Sequence, residues 1–392
     1  MENKKIFIAA DIFPPEIGGP ASYAADLADA LYKEGYAVRV LHYGHLHIKK
    51  KKKPYSIYKV SLRWPLLIRY FFYFLKLFIF AYNADIIYAQ GPVTAGLPSF
   101  WVSRLLGKKL VVKVVGDYAW EQAQVNNRTR QDIDDWQEKP VYKSAKIDKI
   151  GLMYRFERRI VSAADKVIVP AHYLKEIVLG WGAREENVEV IYNAVSLECT
   201  SQLNKIEAKE AIGVSGNILL GVGRFTPWKG FDFLIKLMPD LLKINPDFKL
   251  IIIGDGPYLK EYQKIIQERK LLEKVILPGS VSRTTLCNYF RAAEMFLLNS
   301  GYEGLPHIVL EAMHHKLPVL VADKGGNSEV VDNEINGLLL PLNDKKAWVD
   351  AIVRIWQDKA LKSRLSKNAV PQLPCFEFDE MIDRTIKLLN SI

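Results

Sequence analysis

Runs of Val, Ile and Leu that are apolar at nearly every position recur along the chain, separated by segments of helical length. Such runs are the signature of parallel strands buried on both faces, as opposed to the alternation of a half-exposed sheet. In the first half the pattern predicts strands at Lys5–Ala10, Ala37–Tyr43, Asp85–Ala89, Leu110–Val115, Lys166–Pro170 and Val188–Tyr192. In the second half it predicts Ile218–Val222, Leu250–Ile253, Val275–Leu277, Met295–Leu298, Pro318–Val321 and Gly337–Leu340. Strand patterning lapses between Asn193 and Lys209 and then resumes. Two α/β doubly wound sheets are therefore expected, one per domain, with a ligand cleft between them. The expected domains are 1–197 and 198–375, the final helix 376–392 returning to the first.

One segment breaks the pattern. From Leu62 to Tyr82 the chain is almost continuously apolar and aromatic, but Arg63, Arg69 and Lys76 interrupt it. A spanning helix is not expected. A core helix with an exposed aromatic edge fits better, and with the Lys49–Lys53 run upstream it suits contact with an anionic membrane surface.

Composition narrows the class. The 392 residues exceed one ordinary core, and 49% hydrophobic with 25% charged residues excludes disorder. Net charge is +10, and residues 1–200 hold most of the surplus, with 29 Lys+Arg against 21 Asp+Glu. An anionic partner is expected for that half, membrane lipid or a phosphorylated acceptor. No groove-reading module is recognisable, so nucleic acid is not expected as a partner. Cys199, Cys287 and Cys375 are far apart with no CxxC pair, so neither a disulfide framework nor a zinc site is expected. The first apolar run ends at Asp11, too short for a signal peptide, and a cytoplasmic protein is expected, with the basic, aromatic first half suiting peripheral contact on the inner face of the membrane.

The candidate chemistry sits at the ends of the predicted strands. Gly221-Val-Gly-Arg-Phe-Thr-Pro-Trp-Lys-Gly230 places Gly223, Arg224 and Lys229 where a buried strand gives way to a helix. Glycine there permits close backbone approach, and two cations can hold a diphosphate and stabilise it as a leaving group. Gly301-Tyr-Glu-Gly-Leu-Pro-His-Ile-Val-Leu-Glu311 places Glu303, Gly304, Leu305 and Pro306 in a loop and Glu311 on the helix that follows. Pro306 suits the first turn of that helix, whose amino end can face an anion. Glu303 is expected to contact a transferred sugar and Glu311 a ribose diol. A third turn, Asp323-Lys-Gly-Gly-Asn-Ser-Glu329, again marks close approach at Gly325-Gly326. In the first half, Gly18 and Gly19 follow the first strand beside prolines, and Asp117, Trp120 and Glu121 follow Val114-Val115-Gly116. Asp117 is a candidate catalytic contact, and Trp120 is either a site residue or core.

Arg224, Lys229, the Glu303/Glu311 pair and Pro318–Glu329, in this order and spacing, resemble family 4 glycosyltransferases of the GT-B fold. The resemblance implies two Rossmann-like domains and retaining transfer from a UDP- or GDP-sugar, without a metal or other cofactor. It implies a donor site at Gly18, Gly19, Gly223, Arg224, Lys229, Gly304, Leu305, Pro306 and Glu311. A glycan or lipid-linked acceptor in cell-surface polysaccharide assembly is the expected partner. Many members carry a histidine before the glycine of the Val115-Gly116 turn, and Val115 stands there instead. A dinucleotide oxidoreductase is disfavoured because Thr226 takes the third glycine position of GxGxxG. A sugar-nucleotide epimerase of the same fold and a non-catalytic binder remain the alternatives.

Overall fold

The structure is a computed structural model, and it describes residues 4–16, 19–45, 53–139, 148–195, 199 and 201–392. The chain divides into two compact units. The first comprises residues 1–123, 135–192 and 379–392, the second 124–134 and 193–378.

The first unit holds seven strands: β1 (Lys5–Ala10), β2 (Ala37–Gly44), β3 (Ser56–Ser61), β4 (Ile86–Gln90), β5 (Lys109–Lys113), β6 (Lys166–Val169) and β7 (Val188–Val190). They form one parallel sheet in the order β3-β2-β1-β4-β5-β6-β7. The centre is dry: Phe7, Ile87, Tyr88, Val111 and Val112 have no exposed surface. β3 was not expected from the pattern. It is an edge strand in which only Val60 and Ser61 are buried, so Ser56, Tyr58 and Lys59 interrupt the apolar run that marks the inner strands. β5 stops at Lys113, two residues short of the expected end, which leaves Val115 beyond the strand and 48% exposed.

The last helix, Phe378–Asn390, belongs almost wholly to the first unit. Lys4 Nζ donates to the carbonyls of Leu389 and Ile392, each at 2.9 Å, and Tyr36 donates to Asn390 Oδ1 at 2.7 Å.

The second unit holds β8 (Asn217–Val222), β9 (Phe248–Ile253), β10 (Val275–Gly279), β11 (Met295–Leu298), β12 (Val319–Ala322) and β13 (Leu338–Leu340), also parallel, in the order β10-β9-β8-β11-β12-β13. Strand order reverses between β8 and β11. In a doubly wound sheet this reversal opens a crevice at the carboxyl edge, because the connections on either side leave in opposite directions. The turns after β8 and β11 are those that carry Arg224, Lys229 and Glu303. A core of Phe231, Leu234, Met238, Phe248, Ile252, Trp348 and Ile352 packs the helices of this unit onto its sheet.

Candidate functional site

In the second unit four loops meet at the carboxyl edge, and glycines set how closely they meet. The turn after β8 is anchored by Phe225, fully buried, whose ring packs edge-on to Phe231 and Tyr262 at centroid distances of 5.8 and 5.2 Å. Tyr262 donates to the Thr226 carbonyl at 3.1 Å. With Phe225 locked inward, Arg224 is turned outward: it is exposed, and its guanidinium has no hydrogen-bond or ion-pair partner among the described residues. The turn after β9 lies directly against this one. A Cβ on Gly254 would stand 1.9 Å from the Gly223 carbonyl oxygen, and the Phe225 N–H donates to the Asp255 carbonyl at 2.8 Å. Asp255 therefore works through its backbone in bracing the Arg224 loop.

A short 3-10 turn, Pro227–Lys229, ends at Gly230, which sits at φ +63°, 2.0 Å by its ideal Cβ from the Asn299 carbonyl oxygen. Only glycine fits both the left-handed backbone and that approach. The Trp228 carbonyl accepts the Gly301 N–H at 2.8 Å and the Ser300 hydroxyl at 3.2 Å. The turns after β8 and β11 are thereby stitched across the reversal point, and Lys229 Nζ reaches Glu303 Oε1 at 2.6 Å. Both side chains are largely buried, at 15% and 10% exposure. The two residues expected to hold a diphosphate and a sugar thus form one ion pair with each other.

Gly325 and Gly326 make the close approach that the sequence suggested, but to the chain's own backbone. The Gly326 N–H donates to the Glu303 carbonyl at 2.8 Å, and a Cβ there would lie 2.2 Å from the Gly304 carbonyl oxygen. The turn after β12 is a shelf beneath the Glu303 loop. Leu305 and Pro306 are buried within that loop. Pro306 is the residue preceding the helix His307–His314, one position earlier than expected. Glu311 lies on this helix with its side chain 14% exposed, paired to Arg283. Burial raises the Glu311 pKa, and the Arg283 guanidinium opposes that rise. Arg283 escaped the sequence reading, since nothing in Ser282-Arg-Thr-Thr285 ties it to a glutamate 28 positions on.

The first unit corrects one expectation. Asp117 has no exposed atoms, and its carboxylate is fully occupied. Oδ1 accepts the Trp120 N–H at 2.8 Å, and Oδ2 accepts Trp136 Nε1 at 3.1 Å and Gln137 Nε2 at 2.9 Å, with Arg158 at 3.7 Å. It caps the helix Tyr118–Val125, beside a fully buried Glu157 that accepts the Tyr118 and Ala119 N–H groups. Free helix N–H groups need acceptors, and a buried end without water must find them in side chains. Asp117 is a scaffold residue with no atom available to substrate. Trp120 is 2% exposed and belongs to the core. Gly19 opens the helix Gly19–Lys33, exposed, with nothing within 4 Å of its ideal Cβ; Gly18 and the lysines at 49–52 lie outside the described residues. At this unit's own reversal, between β1 and β4, Asp11 stands with one buried carboxylate oxygen unpartnered, and burial pushes its pKa up to about 7.

The apolar segment forms the helix Leu66–Phe80, of which only Tyr73 and Leu77 are buried. Leu67 is 82% exposed, with Phe71 and Ile79 also more than half exposed. Trp101 and Leu105, on the contacting helix Gly96–Leu106, are likewise exposed. No helix among the described residues is long and apolar enough to cross a membrane.

Comparison with known proteins identifies the family and the fold. The profile of Glycosyltransferase Family 4 matches residues 17–198, and that of Glycosyl transferases group 1 matches residues 203–370. An uncharacterized glycosyltransferase of Methanocaldococcus jannaschii is 31% identical over 54% of this chain and 59% of its own length. The alpha-D-kanosaminyltransferase of Streptomyces kanamyceticus is 25% identical over 74% of this chain and 72% of its own. A UDP-Gal:alpha-D-GlcNAc-diphosphoundecaprenol alpha-1,3-galactosyltransferase of Escherichia coli is 34% identical over 46% and 48%. The chain thus aligns with about half to three quarters of the length of these relatives. Among solved structures, Anabaena HepE in complex with UDP and glucose superposes with a TM-score of 0.77 at 20% identity over the whole of both chains. The sucrose-phosphate synthase of Thermosynechococcus elongatus gives 0.76 at 21% over 99% of each. With both halves matched, both sheets doubly wound and the turns of the second sheet assembled at its reversal, the chain belongs to the family 4 glycosyltransferases and has the GT-B fold.

Proposed function

We propose that this chain is a retaining glycosyltransferase that moves a sugar from a UDP- or GDP-sugar to a lipid-linked glycan. The observation that carries the reading is the stitched pair of turns at the reversal point, which brings exposed Arg224 and the Lys229–Glu303 pair to one edge. An anionic diphosphate would draw Lys229 from Glu303 and add Arg224. Glu303 is then free to meet the sugar, and Glu311, held by Arg283, accepts from the ribose. Charge grows on the departing diphosphate in the transition state, so cations placed there act where charge develops. The acceptor oxygen bonds to the anomeric carbon as the bond to the diphosphate breaks, and a diphosphate oxygen on the same face takes the acceptor proton. That route needs no protein base, and retains configuration.

UDP is favoured over GDP by the relatives whose names specify a UDP donor or a UDP complex, and a lipid-linked acceptor by those named for diphosphoundecaprenol substrates. The exposed apolar face of Leu66–Phe80 supports an enzyme that rests on anionic membrane, with Arg63 and Arg69 beside lipid headgroups. Transfer is tested by thermal-shift screening of UDP- and GDP-sugars, followed by incubation of the hit with an undecaprenyl-diphosphate-linked sugar and assignment of the product anomer. Inverted product overturns the retaining route. Conversion of donor without acceptor favours an epimerase instead, and binding without turnover favours a non-catalytic binder. Membrane contact is tested by flotation with vesicles of anionic phospholipid. The pair Leu67→Glu and Phe71→Glu should abolish co-flotation, and its persistence would remove membrane from the proposal.

A further inference from the structure

The fold gathers three soft donors that sequence keeps far apart. Cys199 lies near the start of the main segment of the second unit, Cys287 on the helix Arg283–Ala292, and His315 caps the helix that carries Glu311. Their ligating atoms all lie within 4.8 Å of one another. Cys287 is buried and the other two are partly covered. Around a tetrahedral zinc ion, thiolate and imidazole donors stand about 3.3–3.8 Å apart. Side-chain adjustments of about 1 Å would close the set, and no fourth His, Cys, Asp or Glu donor joins it among the described residues.

The surroundings suit such a site. The His315 ring is stacked on Phe290 at a centroid distance of 4.9 Å, which fixes its plane. Arg291, on the same helix as Cys287, donates to the Leu203 carbonyl at 3.1 Å and so ties the segment around Cys199 to that helix. Two thiols and one imidazole are a donor set that favours zinc or monovalent copper over the hard cations, which prefer oxygen.

We propose that Cys199, Cys287 and His315 form a binding site for a soft metal ion, zinc in the first instance, that clasps the segment around Cys199 to two helices of the second unit. Binding displaces the protons of both thiols, so the ion is held as a bis-thiolate, and affinity rises with pH. The placement has a consequence for the donor edge. Cys287 is four residues after Arg283, and His315 four after Glu311, one helical turn in each case. The His315 N–H in fact donates to the Glu311 carbonyl at 3.2 Å. An ion at this site would brace from behind the two helices whose ion pair faces the ribose position. The site itself does not depend on the transferase reading.

The test uses the reduced full chain stripped with a chelator. Zinc is titrated in competition with a chromophoric chelator, and cobalt(II) is used in parallel to report thiolate ligation by its charge-transfer absorption. One ion per chain is expected, with two protons released. Cys375→Ser should bind as the parent does, Cys375 being exposed and outside the cluster. His315→Ala and Cys287→Ser should each weaken binding by about 100-fold or more, since loss of a direct ligand should exceed the 10–100-fold seen for outer-shell partners. If Cys287→Ser does not fold, Cys199→Ser and His315→Ala decide. Absence of stoichiometric zinc, or equal affinity in the ligand variants and the parent, overturns the proposal. So does a Cys199–Cys287 disulfide in air accompanied by no zinc uptake in the reduced chain.

Discussion

Gly326→Ala tests whether the proposed donor edge of the second sheet is held by backbone contact. The added Cβ would sit 2.2 Å from the Gly304 carbonyl oxygen and 3.3 Å from that of Glu303. Both obstacles are main chain, so no rotamer can relieve them, and the loops must part by roughly 1 Å to restore ordinary contact. Overpacking of this kind costs about 1–3 kcal/mol. At about 2–4 °C per kcal/mol for a unit of this size, the melting temperature should fall by about 2–12 °C. The same displacement moves Glu303 away from Lys229, and a misplacement of about 1 Å slows a positioned reaction by about 10²-fold. The measurements are thermal unfolding, UDP affinity by calorimetry and sugar transfer. Gly180→Ala is the control, because nothing lies within 4 Å of its ideal Cβ and its backbone is ordinary. A Gly326→Ala protein with the parent's melting temperature and transfer within about twofold would refute the shelf.

Glu303→Gln keeps the shape of the side chain but removes its charge and releases Lys229. UDP should bind as tightly or more tightly, with a carboxylate gone from beside the diphosphate, while transfer falls by about 10²-fold or more; weakened UDP binding with intact transfer would contradict the assignment. Asp117→Ala strips the cap from Tyr118–Val125 and leaves the buried Trp136 donor and the half-buried Gln137 donor unmatched, so denaturant titration should show a loss of about 1–3 kcal/mol, with UDP affinity unchanged. Asp11→Asn tests the buried carboxyl of the first unit. The folded pKa of about 7 lies above the ordinary 3.8, so the stability linked to the protonated acid is full below about pH 4 and lost as pH rises to about 7. Relative to the parent, the variant should therefore gain stability across that window in unfolding titrations at fixed pH, and a constant difference from pH 4 to 8 would count against it.

The turns at the carboxyl edge of the second sheet were legible because their evidence is local. Glycine pairs, prolines and charged residues in short turns mark where backbone comes close and where charge gathers, and Gly223–Gly230 and Glu303–Pro306 carry both signals. Inner strands were legible for a similar reason: burial on two faces demands an unbroken apolar run, and β1 and β11 fall at the expected residues. The edge strand β3 was not, because one row of its backbone and much of its surface need no apolar cover. Asp117 misled for a related cause. An acid after a strand reads the same whether it faces solvent or turns inward to cap a helix, and burial alone separates the two.

The sequence by itself determined that there are two doubly wound sheets, where their inner strands run, and which glycine-rich, charged turns follow those strands. It did so because periodicity and turn chemistry act within a few residues. Only the tertiary structure decided partnership. Gly326 was set against Gly304, Lys229 against Glu303, Arg283 against Glu311, and Cys199 near Cys287 and His315. These pairs are separated by 22 to more than 100 positions, and each is fixed by strand order and loop packing, which no short stretch of residues encodes.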